Sequence, residues 1–359
     1  MDISKPKYFP ALTGLRVILA SMVFIYHYSG LGNQNLTITQ IAVVLKYRMT
    51  AFFVLSGFVV MYSLLPKGRL SLKEYIKFIL FRLLRLLPLY YVLLIVPYLQ
   101  VGIPPLPVFI SNITLTKGFF SELLTNGIGP SWSLTPEITF YLLAPYLLRY
   151  VSDLKRFILC YFVILLTGIT LISIGTYLVR SHYNTYGFFA DLKFTLSYTF
   201  FGRATDFFVG MFLAHLVYQF SKKDLPVYLK NSLTYTSLFL IILISYFVYY
   251  FENSTTQIAS TLSLICLYFV LPFAVGCFLW GLTTEKTFLN KFLSLKWMVI
   301  LGNGAYGFYL MHTGWVQYKL EKINFLPDHG FILLWITAAL TYYMFEKPII
   351  LYLKKKLVY

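Results

Sequence analysis

FILCYFVILLTGITLISIGTYLV, residues 157–179, runs for 23 residues without one charged side chain. A helix of that length reaches about 34 Å, enough to cross a hydrocarbon core of about 30 Å. Working outward, comparable apolar stretches recur at 12–30, 49–66, 84–101 and 132–150 on one side. They recur at 198–220, 232–251, 258–282, 298–317 and 330–350 on the other. The sequence therefore predicts an all-α fold, a polytopic transmembrane helical bundle of about ten helices. The third stretch holds Pro88 and Pro97, and a kink there is tolerable if neighbouring helices satisfy the freed carbonyls.

Composition points the same way. Hydrophobic residues make up 58% of the chain and charged residues 12%, with a mean hydropathy of +0.72. Soluble domains carry roughly 25% charged residues, so this chain cannot cover itself with a solvated surface. The first stretch follows Lys5 and Lys7 as a signal peptide would, but it contains Arg16 and His27 and lacks a small-residue cleavage site. It is read as a retained helix.

The net charge of +17 is read as topology and not as nucleic-acid binding. With the N-terminus placed in the cytosol, the cytosolic segments 5–16, 67–85, 149–156, 222–230, 286–296 and 354–356 hold 21 of the 30 Lys and Arg. An even number of spans puts both termini cytosolic, and the Lys354–Lys356 tail agrees with that. The longest outer loop, 102–130, opens with Gly102, Pro104, Pro105 and Pro107 and closes with Gly127, Gly129 and Pro130. Its length suits a segment that dips back or covers an entrance.

Several chemistries are absent from the pattern. Cys160, Cys266 and Cys277 lie inside apolar runs with no zinc or disulfide spacing, so no metal is expected. No P-loop, GxGxxG or HExxH occurs. Ser56 and Gly57, in AFFVLSGFVV, lack a GxSxG elbow and are read as a close-packing site.

Ionisable residues inside a membrane are costly and become functional candidates by default. Arg16 and His27 are eleven residues apart, within about 20° of one helix face and about 16 Å along the axis. They line a path across the membrane, or else Arg16 snorkels and His27 bonds to a neighbouring helix. Arg82 and Arg85, one turn apart, suit phosphate as two planar donor forks, or else serve only topology. Glu137 in SWSLTPEITFY is a first-turn acid that either favours the helix dipole or orients a catalytic base. Arg203 and Asp206 are spaced as an internal ion pair. His312 is read as a helix–helix hydrogen bond, and Glu346, beside Lys347, as an interfacial acid. His182, His215 and His329 carry no assignment.

Taken together, these pieces resemble the acyltransferase-3 family, membrane enzymes that modify bacterial surface glycans. LTGLRVILASMVFIYH is similar to the family's opening, with Arg16 and His27 on its R-x10-H element. AFFVLSGFV, RLLR at Arg82–Arg85, WSLTPEITFYLLAP, LGNGAYGFYLMH and the closing EKP follow in order across residues 12–348. Pro136 and Ala305 depart from the usual residues.

The resemblance implies a cytosolic acyl-coenzyme A donor, commonly acetyl-CoA, with no permanently bound cofactor. It implies a saccharide or glycolipid hydroxyl as acceptor and the bacterial cytoplasmic membrane as location. His27 becomes the catalytic residue, with Glu137 as the supporting acid. Arg82 and Arg85, with Arg16, are expected to hold the coenzyme. Trp132, Arg203, Asp206, His312 and Glu346 are expected to shape the site. An acyl-histidine intermediate stands beside direct transfer, and a glycan-lipid flippase is the alternative function. The chain is read as one integral-membrane domain over 1–359, without the SGNH-type soluble domain that many relatives carry.

Overall fold

A backbone in hydrocarbon must satisfy its own N–H and C=O groups, and a helix does so within one segment. The computed structural model, which describes residues 7–28, 48–220, 232–252, 256–322 and 327–358, is helical accordingly. Lys5, Lys222, Lys223, Lys230 and the terminal residue lie outside the described residues, as does the side chain of His329. The helices in the first half are α1 (Pro10–Tyr28), α2 (Arg48–Leu64), α3 (Leu72–Val101), α4 (Leu106–Ile113), α5 (Leu134–Leu147) and α6 (Leu154–Arg180). Next come α7 (Leu192–Tyr198), α8 (Ala204–Phe220), α9 (Leu233–Glu252), α10 (Gln257–Ile265), α11 (Leu271–Thr284) and α12 (Phe288–Leu293). The last are α13 (Lys296–Asn303), α14 (Ala305–Met311), α15 (Trp315–Lys322), α16 (Pro327–Thr341) and α17 (Lys347–Val358). Wider π turns, Cys266–Val270 and Tyr342–Glu346, join α10 to α11 and α16 to α17.

Among the described residues, six helical segments are long and apolar enough to span a membrane: 10–27, 48–67, 72–101, 154–180, 233–252 and 257–284. Helices occupy the other four predicted stretches too, but they are shorter, broken or charged. The third span is longer than the sequence reading gave it. Ser71 and Glu74 form a reciprocal capping box that starts α3 at Leu72. Arg82 and Arg85 therefore lie inside that helix and do not open it.

The chain forms two compact units. The first comprises residues 1–68, 146–161 and 203–302. Here α2 and α8 meet backbone to backbone. A Cβ at Gly57 would collide with the Phe207 carbonyl, and one at Gly210 with the Val54 carbonyl. The small residue read as a packing device at Gly57 is matched by Gly210 on the facing helix. Glu285, 7% exposed, accepts the otherwise unpaired Leu233 and Thr234 N–H groups at 2.9 Å each and so caps α9.

The second unit comprises residues 69–145, 162–202 and 303–359. The 102–130 loop folds tightly within this unit. Tyr90 and Tyr91 donate to the Asn112 and Ile113 carbonyls at 2.8 and 2.9 Å, holding the end of α4 on α3. Thr135 donates to the Leu115 carbonyl at 2.7 Å and accepts from the Gly118 N–H at 3.0 Å. Residues 119–122 pair with 186–189, including the Phe120–Phe188 bridge. Lys117 is fully buried, and its Nζ donates to the Asn126 and Ile128 carbonyls at 2.8 and 2.6 Å. Burial pushes this amine down to about 7.

Candidate functional site

The first unit holds the histidine. His27 sits in the last turn of α1, with Arg16 half-buried nearer the start of the same helix. Arg48 begins α2, and its Nη2 lies 3.5 Å from His27 Nε2. Arginine offers only donors, so the contact suits the Nε2 lone pair of a neutral imidazole. The Arg48 guanidinium also sits 4.5 Å from the Tyr26 ring centroid, a cation–π contact that fixes it beside the histidine. Sequence reasoning missed Arg48.

Deeper in that unit, Arg203 and Asp206 make the ion pair that their spacing predicts, at 3.2 Å. Both are buried. Arg203 also donates to Thr50 Oγ1 at 3.1 Å, and its guanidinium lies 4.8 Å from the Tyr268 ring centroid. A hydroxyl, an acid and a ring together surround one buried cation.

The second unit gathers Arg82, Arg85, Glu137 and Glu346. Glu137 lies in the first turn of α5 and accepts a short hydrogen bond from the Tyr141 hydroxyl. Pro136 falls in the same first turn, where a missing N–H costs nothing. The Arg82 guanidinium sits 5.7 Å from the Tyr141 ring centroid and feels the charges of Arg85 and Glu137. Trp132 meets Tyr198 edge to face at 4.8 Å.

Glu346 corrects an expectation. It is 4% exposed, so it is an inner acid and not an interfacial one. The π turn at 342–346 places Glu346 inward and Lys347 outward, over the Tyr343 ring. Glu346 Oε1 has no hydrogen-bond partner among the described residues and faces the side-chain-free Gly307. Arg85 is the charge that acts on it.

His312 Nδ1 donates to the Tyr309 carbonyl at 2.6 Å. The Tyr309 hydroxyl links separate elements, donating to the Pro130 carbonyl at 2.9 Å and lying 3.0 Å from Ser133 Oγ.

Buried arginines and carboxylates within apolar helices, together with six candidate spans among the described residues, define a multi-pass membrane protein. More narrowly, the chain belongs to the acyltransferase-3 family: the family described as "Acyltransferase domain" matches residues 9–352. Curated relatives include the O-acetyltransferase OatA of Staphylococcus aureus strains NCTC 8325 / PS 47, COL and MRSA252. Each is 25% identical over 380 residues, covering 96% of this chain and 57% of the relative. The chain thus spans little more than half the length of these relatives. No solved structure matches it.

Proposed function

We propose that this protein is a membrane O-acyltransferase, in the first instance an O-acetyltransferase. It moves an acyl group from acyl-coenzyme A to a hydroxyl of a surface or lipid-linked saccharide. The observation that carries the reading is His27 within 3.5 Å of Arg48, in a chain that belongs to an acyltransferase family over residues 9–352. The name of the Staphylococcus aureus relatives favours acetyl as the group and oxygen as its destination.

The chemistry follows from the pair. Arg48 holds the Nε2 lone pair until an acceptor hydroxyl takes its place. The imidazole then accepts the hydroxyl proton while the oxygen attacks the thioester carbon. The C–S bond breaks, and the proton passes to the departing coenzyme thiolate. The displaced guanidinium remains close enough to stabilise the developing oxyanion.

Arg82 and Arg85, with Arg16, are the proposed holders of the coenzyme phosphates, because guanidinium forks bind phosphate in a fixed plane. Glu137 is proposed as a catalytic carboxylate. Trp132, Arg203, Asp206, His312 and Glu346 shape the site. The bias of the basic segments supports a donor side, and both termini, on the cytosolic face of a bacterial cytoplasmic membrane.

The test uses wild-type and His27→Ala proteins in nanodiscs with acetyl-coenzyme A and a panel of glycans. Free coenzyme A and acetylated product are both measured. Stoichiometric release and product in the wild type, lost by about 10²–10⁴-fold in a folded His27→Ala, is expected of a base-catalysed transfer. Equal turnover in both proteins removes His27 from the chemistry. Glycan movement without coenzyme release would instead identify a flippase.

A further inference from the structure

The first unit holds a cavity of about 270 Å³ that the mechanism above leaves unused. α1 packs on α11 and α12, and α9 packs on α11. The cavity lies among these four helices and the start of α2. Leu15, Ile18, Leu19 and Met22 form one wall, spaced three and four apart and so on one face of α1. Leu238 and Ile241 of α9 face it, with Val275 and Phe278 of α11.

The two ends differ. At one, α12 contributes Leu289, Phe292 and Leu293, and Gly14 lets the Leu293 backbone come up against α1. At the other stand Arg48 and Ala51 of α2. Leu15 to Met22 alone covers about 10 Å along α1. The cavity is thus a slot that runs from α12 towards the contact between Arg48 and His27.

The walls select the guest. Fourteen of the sixteen lining residues are apolar, and the two polar ones do not change that character. Ser245 Oγ and Arg48 Nε are fully buried atoms and offer a guest no hydrogen bond. The Arg48 guanidinium is already held by His27 and the Tyr26 ring. A sugar or phosphate would lose its water here and gain no partner. A hydrocarbon chain gains by leaving water and loses nothing. A single water needs about 10–15 Å³ of such space, so the slot has room for far more than a methyl group.

Position selects among chains. Acyl transfer brings a carbonyl carbon to His27, and the chain on that carbon must lie somewhere. The slot begins at Arg48, the residue 3.5 Å from His27 Nε2. The tail of a membrane lipid would suit the same walls, entering past Ile18, which is 40% exposed. Nothing would tie that tail to the reacting pair.

We infer that this slot receives the chain of a straight-chain acyl donor longer than acetyl, with its carbonyl end towards Arg48 and His27. The inference rests on the acyl-transfer reading above and deepens it by naming the donor class. The bonds made and broken are those of acetyl transfer, and only the chain on the carbonyl carbon changes. A succinyl group is disfavoured, because its second carboxylate would sit among apolar side chains.

The test measures kcat/KM for acetyl-, butanoyl-, hexanoyl-, octanoyl- and succinyl-coenzyme A in nanodiscs, with the same panel of glycans. Coenzyme A release and acylated product are both read. Wild type is compared with Ile241→Trp, which fills the slot, and Ile241→Ala, which widens it. In the wild type, kcat/KM should rise about 4-fold per added methylene as far as hexanoyl. Succinyl should fall below butanoyl. Ile241→Trp should lower octanoyl turnover about 10-fold and leave acetyl turnover unchanged. Ile241→Ala should move the optimum to a longer chain, and opposite shifts from one position are no folding defect. A second readout needs no turnover: octanoyl-coenzyme A with a terminal diazirine is photolysed on the protein and the labelled peptides are mapped. Label should fall on residues 15–22 and 271–279. A wild type that prefers acetyl, one chain-length profile in all three proteins, or label elsewhere overturns the slot. Label there from a diazirine phosphatidylglycerol that octanoyl-coenzyme A fails to displace assigns the cavity to membrane lipid and overturns it as well. Label on the slot from the coenzyme A probe, without coenzyme A release, keeps the seat and sinks the acyl-transfer reading.

Discussion

In the first unit, Arg203 meets Asp206 at 3.2 Å and is further held by Thr50 and the Tyr268 ring. In the second, Glu346 is equally buried but makes no ion pair among the described residues, and Arg85 acts on it only from beyond bonding distance. The contrast separates two uses of charge inside a membrane. A closed pair commits its charge to the fold. An acid and an arginine that face each other without bonding keep capacity for a charged ligand. Under the proposed function, the first unit's buried pair is scaffold and the second unit's cluster is the proposed binding surface.

The comparison breaks most sharply at Arg203. Arg203→Leu leaves Asp206 buried without its counter-ion, and a loss of about 3–5 kcal/mol is expected. Thermal unfolding in detergent reads it, and Arg203→Leu/Asp206→Leu should recover most of the loss. Failure of the double variant to recover would mean that the pair does more than close the core.

Packing in the same unit comes next. Gly210→Val drives a side chain into the Val54 carbonyl, so α2 and α8 must separate, at a cost of about 1–3 kcal/mol. An unchanged melting temperature would show that these helices do not depend on close backbone contact.

The second unit should answer differently. Arg85→Gln is expected to leave the melting temperature within experimental error and to raise the KM for acetyl-coenzyme A about 10-fold, or about 1.4 kcal/mol. Arg82→Gln should raise the same KM. It should also lower the melting temperature slightly, because it removes the contact with Tyr141. If Arg85→Gln unfolds the protein with KM unchanged, the second cluster is scaffold too and the contrast disappears.

The smallest effect sits in the loop of the second unit. The folded Lys117 amine titrates at about 7, against about 10.4 in an unfolded chain. The unfolded state therefore binds more protons between those values, so stability rises as pH increases from 7 towards 10. Melting temperatures at pH 7.0 and 9.5 should show a rise attributable to this lysine, and Lys117→Met should shrink it. A neutral amine still carries two N–H groups for the two carbonyls, so deprotonation keeps the brace. An equal difference in Lys117→Met would assign the pH response elsewhere.

Much of the arrangement was legible in the chain. Hydropathy located the helices, and the motif order pointed to His27, the Arg82–Arg85 pair and Glu137. Spacing alone gave the Arg203–Asp206 pair, because residues three apart on a helix are neighbours. Arg48 was missed because nothing local connects it to a histidine 21 positions earlier. Lys117 was missed because it looked like a loop charge. A signal was nonetheless present. Arg48, Lys117 and Arg203 are the buried Lys and Arg among the described residues, and all three belong to the nine that stand outside the six basic clusters of the sequence. A cation on the wrong side of the charge bias is not there for topology, so it must be sought inside the fold.

The sequence by itself determined a helical membrane protein, its charge asymmetry and its family, because hydrocarbon accepts only self-satisfied backbone and the motifs sit at fixed helical spacings. Only the tertiary structure decided that Arg48 meets His27, that a π turn carries Glu346 inward, and that Trp315 bonds the Leu93 carbonyl. Those arrangements join residues far apart in the chain. Their partners are chosen by the packing of helices against one another, which no local pattern of residues encodes.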